Sequence, residues 1–473
     1  MPPRTNACAT CRKKRIKCDA TLPHCLMCQR FGRQCPGPDS GPVIINMTTQ
    51  TMSKAPRTKH GKDGSVLVLR NQPPMARSLQ ISPRKSLNEV FYSTFLAYFT
   101  TTGEDEDIRN KNTWLHKLPS FSTDGTNTAL EVAVQAVASA FSGVKGPNMA
   151  LLQDACILYG KALHLHSHLL RLKKEITVHM VSTTVLLSFF EAMHATTASA
   201  YRNHINGAAK MIEVAGPEQC MQGVLCQIYF HIRTQLTFVY LTSKKHETNK
   251  VCAEKVLRDS LRYEELPVGQ RLLTLISRLS EIYVRLEEGF DQDEMQTNAV
   301  VVSEVQNAID VLEIEYKAKA DQKGGPLTWK TFAGATQYRN SYTAVCIAYF
   351  ATARMLLAIL APRLSVPCSD STDYCDIILD ATKFLSTVKI GFAFMRMSTP
   401  LYLVAVHASR TDQRMKALGV FEDWKVSGLG GISALALEKI YEHGAGSARA
   451  MLTVPETRAL SLHAIREVSV SHA

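Results

Sequence analysis

From residue 86 toward the C-terminus, apolar side chains recur three and four positions apart, the spacing of one helix face. The first such face comprises Val90, Phe91, Phe95, Tyr98 and Phe99, behind the capping box Ser86-Leu87-Asn88-Glu89. A second box, Thr128-Ala129-Leu130-Glu131, precedes Val132 to Phe141, with Gly143 as the expected stop. Helices follow over Asn148 to Arg171, Ile176 to Thr196, and Tyr201 to Val214, the last closed by Gly216-Pro217. The pattern predicts others near 219–243, 267–288, 296–318, 330–360, 372–392, 400–418 and 432–442. Strand-like alternation is nearly absent, so 86–473 reads as a large all-α domain, a layered helical bundle. Its most apolar window, Tyr342 to Leu360, is rich in Ala and Thr and carries Arg354, which suits a buried bundle helix better than a membrane span.

The first eighty-five residues follow different rules. Pro36, Pro38, Pro42, Pro56, Pro73, Pro74 and Pro83 break up a stretch with eight basic residues and hardly any aromatics. Such a composition does not build a core, and 39–85 is expected to be a flexible linker, with at most a brief strand at Gly64 to Leu69. No run of apolar heptads that would mark a coiled coil occurs in 36–85. Charge separates the same regions. Residues 1–85 hold 16 Lys or Arg against Asp19, Asp39 and Asp63, while the remaining 38 basic residues face 39 acidic ones. The whole excess of +12 therefore sits at the N-terminal end, the footprint of a polyanion-binding segment. No amphipathic or lipidated segment accompanies it, so a membrane partner is not expected.

Six of the thirteen cysteines lie within 8–35: Cys8 and Cys11, then Cys18, then Cys25 and Cys28, then Cys35. Each half of this stretch is a CxxC pair, six intervening residues and then a single cysteine. A disulfide framework belongs in an oxidising compartment, and the N-terminus has no apolar signal region. One zinc held by the two CxxC pairs would leave Cys18 and Cys35 idle, although each stands at the same distance from its own pair. Two zinc ions use all six. Two tetrahedra need eight ligand positions, so two sulfurs must bridge. The bare cluster then carries a formal charge of −2, which the run Arg12-Lys13-Lys14-Arg15-Ile16-Lys17 offsets. About thirty residues cannot bury a core adequate to fold alone, so metal must supply the folding energy.

The spacing, the basic run ending in Cys18-Asp19, Pro23 before Cys25, and Gly32 before Cys35 resemble the fungal binuclear zinc-cluster transcription factors. The resemblance covers about thirty residues and is highly specific. It implies a DNA-binding module over 1–38, two Zn²⁺, and bridging by Cys8 and Cys25. Cys11 and Cys18 would complete one ion's set, and Cys28 and Cys35 the other's. It further implies a short helix after the first CxxC aimed at a CGG-type triplet, with base contacts from the positions of Lys14 and Arg15. The family usually has two lysines there, so Arg15 is a departure that keeps the donors. Arg12, Lys13, Lys17, Arg30 and Arg33 are then expected at phosphates, which position a protein without specifying sequence. The run Arg12, Lys13, Lys14, Arg15 and Lys17 would also serve nuclear import, and the nucleus is the expected location. The family often dimerises through a coiled coil after the cluster, and its absence points to a monomer or to a homodimer formed through 86–473.

Within 86–473 the stretches Tyr159-Gly160-Lys161-Ala162-Leu163, Thr184 to Ala192, and His204-Ile205-Asn206-Gly207-Ala208-Ala209 resemble the fungal-specific transcription factor domain. They imply a regulatory and not a catalytic role, with a co-regulator or a small-molecule effector as partner. Many such proteins control one pathway, often a secondary-metabolite cluster.

Other features invite chemistry and are better read otherwise. His164, His166 and His168 lack a third ligand at metalloprotease spacing and are expected to be surface histidines. Gly428-Leu429-Gly430-Gly431 lacks a P-loop lysine and reads as a flexible loop. Leu272, Ile276, Leu279, Tyr283 and Leu286 suit a bundle core. The acidic run Glu287 to Glu294 suits a solvated helix-to-loop junction. Cys156, Cys220, Cys226, Cys252, Cys346, Cys368 and Cys375 are expected as buried small hydrophobes. No nucleophile–base constellation supports an enzyme in 86–473. The remaining rival is a cluster that binds protein instead of DNA.

Overall fold

The computed structural model describes residues 8–35 apart from 15, 20, 22 and 23, and residues 89–443 apart from 91, 98–113, 173–174, 198, 244–265, 287–288, 323, 368–372 and 389–390. The chain divides into two compact units, with the break between Ser78 and Leu79. The first contains α1 (Ala9–Lys14) and α2 (Leu26–Arg30). The expected linker, the strand at Gly64 to Leu69, the opening of the first capping box, Cys252 and Cys368 lie outside the described residues.

Among its described residues the second unit is helical save for one hairpin, as the helical periodicity predicts. Its first half holds α3 (Trp114–Ser122), α4 (Thr128–Lys145), α5 (Met149–Leu172), α6 (Val178–His194), α7 (Ala200–Ala215) and α8 (Gly223–Leu241). Its second half holds α9 (Val268–Leu286), α10 (Gln292–Gln322), α11 (Ser341–Leu360), α12 (Tyr374–Val388), α13 (Gly391–His407), α14 (Thr411–Ser427) and α15 (Gly430–His443). Successive helices pack on one another, and α13 also packs against α8, α11 and α15. The last helix, α15, returns to α6, so the two halves share one hydrophobic core.

Local signals set most boundaries. The cap of α4 is Asn127, one residue earlier than expected: its Oδ1 accepts the amide of Leu130 at 3.0 Å. Gly143 does not end α4; it lies inside the helix against Leu152, and Gly146 is the C-cap. Gly216 closes α7 as expected. Helix α6 is buried all round, and the hydroxyls of Thr183, Thr184 and Ser188 bond to carbonyls within the helix. Thr183 donates to the carbonyl of His179 at 2.7 Å, and Ser188 to that of Val185 at 2.7 Å. Leu272, Ile276, Leu279 and Tyr283 form the buried face of α9.

Three further expectations are corrected. The helix placed at 330–360 begins only at Ser341; before it, β1 (Thr328–Lys330) pairs antiparallel with β2 (Thr336–Tyr338). The helix placed at 400–418 is two helices, and Pro400 lies inside α13 instead of starting a helix. An internal proline deprives the carbonyl four residues back of its donor. Here Tyr349 of α11 supplies the replacement, donating to the carbonyl of Arg396 at 2.9 Å. The same device recurs at Pro119 inside α3, where the hydroxyl of Tyr92 donates to the carbonyl of Leu115.

The third correction concerns the glycine-rich stretch. Gly428 caps α14 in the left-handed region, but Gly430 and Gly431 open α15. A Cβ on Gly431 would sit 2.0 Å from the carbonyl oxygen of Glu191, so the glycine allows α15 to cross the end of α6. The segment Ser341–Leu364 is long and apolar enough to cross a membrane, yet 78% of its most apolar window is buried in the bundle. It is a core helix, packed between α9, α12 and α13.

Candidate metal centre and nucleic-acid interface

The first unit is a structural repeat. Helix α1 follows Cys8 and α2 follows Cys25, seventeen residues on. The amide of Cys8 donates to Sγ of Cys18, and the amide of Cys25 to Sγ of Cys35, each at 3.4 Å. Likewise the amide of Cys11 donates to Sγ of Cys8, and that of Cys28 to Sγ of Cys25, each at 3.4 Å. Both helices end in the same way: the amide of Ile16 donates to the carbonyl of Cys11 at 3.1 Å, and that of Arg33 to the carbonyl of Cys28 at 2.9 Å. Gly32 supplies the left-handed turn after α2, with φ of 57°.

Side chains outside the cysteines lock the halves together. The carboxylate of Asp19 accepts the amides of Leu26 at 3.0 Å and Met27 at 3.2 Å, and also the hydroxyl of Thr21. Thr21 and these amides hold Asp19 well below the usual carboxylate range, so an anion caps the N-terminus of α2. Thr10 donates to the carbonyl of Gln34 at 3.0 Å, and His24 Nδ1 to the carbonyl of Cys35 at 3.0 Å. Sequence reasoning missed these three roles. Only the position of Asp19, six residues before Cys25, carried a signal.

The six sulfurs fall into two sets of four, Cys8, Cys11, Cys18 and Cys25, and Cys8, Cys25, Cys28 and Cys35. Within each set the sulfurs lie within 4.8 Å of one another, and Cys8 and Cys25 belong to both. Zn–S bonds of about 2.3 Å in a tetrahedron give sulfur–sulfur edges of roughly 3.8 Å. Sγ of Cys8 lies 3.8 Å from that of Cys25 and 3.7 Å from that of Cys28, and Cys11 lies 3.7 Å from Cys25. These separations suit shared metal ligation and are far too long for disulfides, and all six cysteines are free. Desolvation and the neighbouring thiols push Cys11 up to about 12, and desolvation raises Cys28 as well. Thiols packed this closely lose protons when cations replace them. The donor set fits two zinc ions.

The basic residues lie around this platform. Lys13 and Lys14 end α1 with exposed side chains, and Lys17 is exposed just beyond. Arg30 and Arg33 are exposed on the second half, and the Arg33 guanidinium lies 5.0 Å from the Phe31 ring centre. The side chain of Arg12 and the whole of Arg15 lie outside the described residues.

Elsewhere the candidates resolve into structural roles. His164 and His168 are exposed, but His166 is buried and bonded to Thr184 at 2.8 Å, which corrects the surface reading for that residue. Cys220, Cys226, Cys346 and Cys375 are buried as expected. Cys156 differs: it is half-buried, with Sγ 2.9 Å from His194 Nε2. The acidic junction caps α10, where the amide of Glu294 donates to Asp291 at 2.8 Å and that of Asp291 to Glu294 at 3.3 Å.

Comparison with known proteins agrees with this geometry. Residues 6–40 match the model of the fungal Zn(2)-Cys(6) binuclear cluster domain. Residues 75–436 match that of the fungal specific transcription factor domain. The chain is also similar to the aspercryptin biosynthesis cluster-specific transcription regulator atnN of Emericella nidulans, 33% identical over 78 residues. That match spans 16% of this chain and only 12% of the relative's length. No solved structure matches the chain. Two zinc ions are implied by the domain at 6–40 together with the clustered thiols. With the second match covering most of its length, the chain belongs to the fungal specific transcription factor family, whose members are regulators and not enzymes, and it carries that family's binuclear zinc-cluster domain.

Proposed function

We propose that this protein is a nuclear, zinc-dependent transcription factor that binds CGG-type triplets through the major groove. Residues 1–38 form the DNA-reading module, 39–85 a basic linker and 86–473 the regulatory domain. Cys8, Cys11, Cys18, Cys25, Cys28 and Cys35 hold the two ions, with Cys8 and Cys25 bridging. The single observation that carries the reading is the pair of four-sulfur sets sharing Cys8 and Cys25, which would hold α1 and its exposed C-terminal end on a rigid platform. Bound zinc would supply the folding energy that so small a unit lacks.

Lys14 and Arg15 donate to guanine O6 and N7, the acceptor pair that distinguishes G·C in the major groove. Arg12, Lys13, Lys17, Arg30 and Arg33 contact phosphates. Exposure of Lys13, Lys14, Lys17, Arg30 and Arg33 supports this division. Affinity falls with salt, log K dropping by about 0.9 per phosphate contacted for each decade. The regulated genes form a biosynthetic cluster; the similarity to a cluster-specific regulator supports this role. Selection of the zinc-loaded full chain on randomised duplexes tests the reading. Enrichment of CGG triplets is expected, and recovery of unrelated sequences would refute the assignment.

A further inference from the structure

The large unit contains a cleft of about 750 Å³, walled by α10, the β-hairpin, α11 and α12. That volume suits one drug-sized molecule. Its charged groups cancel among themselves. Arg354 pairs with Asp310 at 2.6 Å and Glu313 at 2.9 Å, and Lys330 pairs with Asp380 at 3.3 Å. Lys317 also pairs with Glu313, at 2.8 Å. Among the described residues the lining therefore holds no unpaired charge to recruit a charged ligand. Ile347, Phe350 and Ile377 supply apolar surface between these pairs.

Tyr338 supplies the polar handle. It lines the cleft and is only 3% exposed. Burial, with the Asp380 charge nearby, raises its pKa, so the hydroxyl remains protonated and able to donate. Tyr374, which also lines the cleft, offers a second hydroxyl.

We infer that this cleft binds an uncharged, largely apolar ring compound whose carbonyl or ether oxygen accepts a hydrogen bond from Tyr338. Such a ligand would bridge four successive elements of the regulatory domain, which would make it an effector of that domain.

Nile red, an uncharged ring ketone whose emission rises in apolar surroundings, is the probe, titrated into the full-length zinc-loaded chain. Saturable binding of one molecule per chain is expected. Ile377→Trp, which fills the cleft, should weaken binding at least tenfold. Tyr338→Phe, which removes only the hydroxyl, should weaken it about three- to tenfold. The anionic dye 1-anilinonaphthalene-8-sulfonate should compete poorly. Absence of saturable binding, or wild-type affinity in both variants with unchanged circular dichroism, would overturn the inference, as would preferred uptake of the anionic dye. The titration reads binding in the large unit alone, so its failure leaves the DNA-binding proposal standing.

Discussion

The sulfurs of Cys8 and Cys25 lie 3.8 Å apart, and each belongs to both four-sulfur sets. These two residues begin the two halves of the repeat, so the sites share their most equivalent positions. Each half supplies two further sulfurs to its own set, Cys11 and Cys18 in the first and Cys28 and Cys35 in the second. Neither half has four thiols of its own. Loss of either shared cysteine would therefore strip a ligand from both sets, whereas loss of Cys18 or Cys35 would affect one.

Base and phosphate contacts should separate in binding experiments. Lys14→Ala and Arg15→Ala are expected to reduce discrimination between a CGG duplex and a scrambled one by about 1–3 kcal/mol each. Arg30→Ala should weaken both duplexes alike and flatten the salt dependence by about one phosphate contact. Fluorescence anisotropy on the two duplexes at several salt concentrations reads both effects. Equal losses on matched and scrambled DNA for all three variants would contradict the assignment.

The two internal prolines predict a pair of stability effects. Tyr349→Phe leaves the carbonyl of Arg396 without the donor that replaces the missing amide of Pro400, and Tyr92→Phe does the same for Leu115 and Pro119. Each should cost about 1–3 kcal/mol, the desolvation penalty of a buried unpaired acceptor. The sites lie on different elements, so the double variant should show nearly the sum. Chemical denaturation followed by circular dichroism measures this. Wild-type stability in both single variants would mean that the hydroxyls do not carry these carbonyls.

Acid should weaken the large unit before it reaches the usual carboxylate range. Burial lowers His166 and His204 to about 4 and His231 to about 3. Nearby positive charge adds to the effect, from His166 on His204 and from Arg396 on His231. Their folded values lie below the unfolded value near 6.5, so the unfolded chain takes up protons first as pH falls. The stabilising contribution is full above about 6.5 and is lost on descending toward 4 and 3. Each histidine contributes a slope of about 1.4 kcal/mol per pH unit inside that window. Urea unfolding at pH 7, 5.5 and 4.5 should show a progressive fall, made shallower by His166→Gln. Equal stability at pH 7 and 5 would contradict it.

The metal centre was legible from sequence because its ligands are local. Six cysteines in a repeated spacing, with a basic run between two of them, restrict the chemistry before any long-range contact is known. Helices were legible wherever a buried stripe coincided with a local cap, as at Gly216 after α7. Failures occurred where a distant residue decided the outcome. Pro400 looks like a helix start unless the donor from Tyr349 is known. Gly430 and Gly431 look like a loop unless the carbonyl of Glu191 is known to pass beside them. The hairpin had a local signal, Thr328-Trp329-Lys330 and Thr336-Gln337-Tyr338 around Gly334, but strong apolar periodicity immediately after it masked the short strands. The cleft beside Tyr338 was not legible, because one of its walls is the hairpin that the helical reading of 330–360 hid.

Native mass spectrometry of the intact chain during zinc titration tests the central claim most directly. Two ions per folded chain are expected, with all six cysteines of 8–35 shielded from alkylation once both are bound. A folded chain that saturates at one ion, or leaves Cys18 and Cys35 reactive at saturation, would contradict a centre built on shared Cys8 and Cys25.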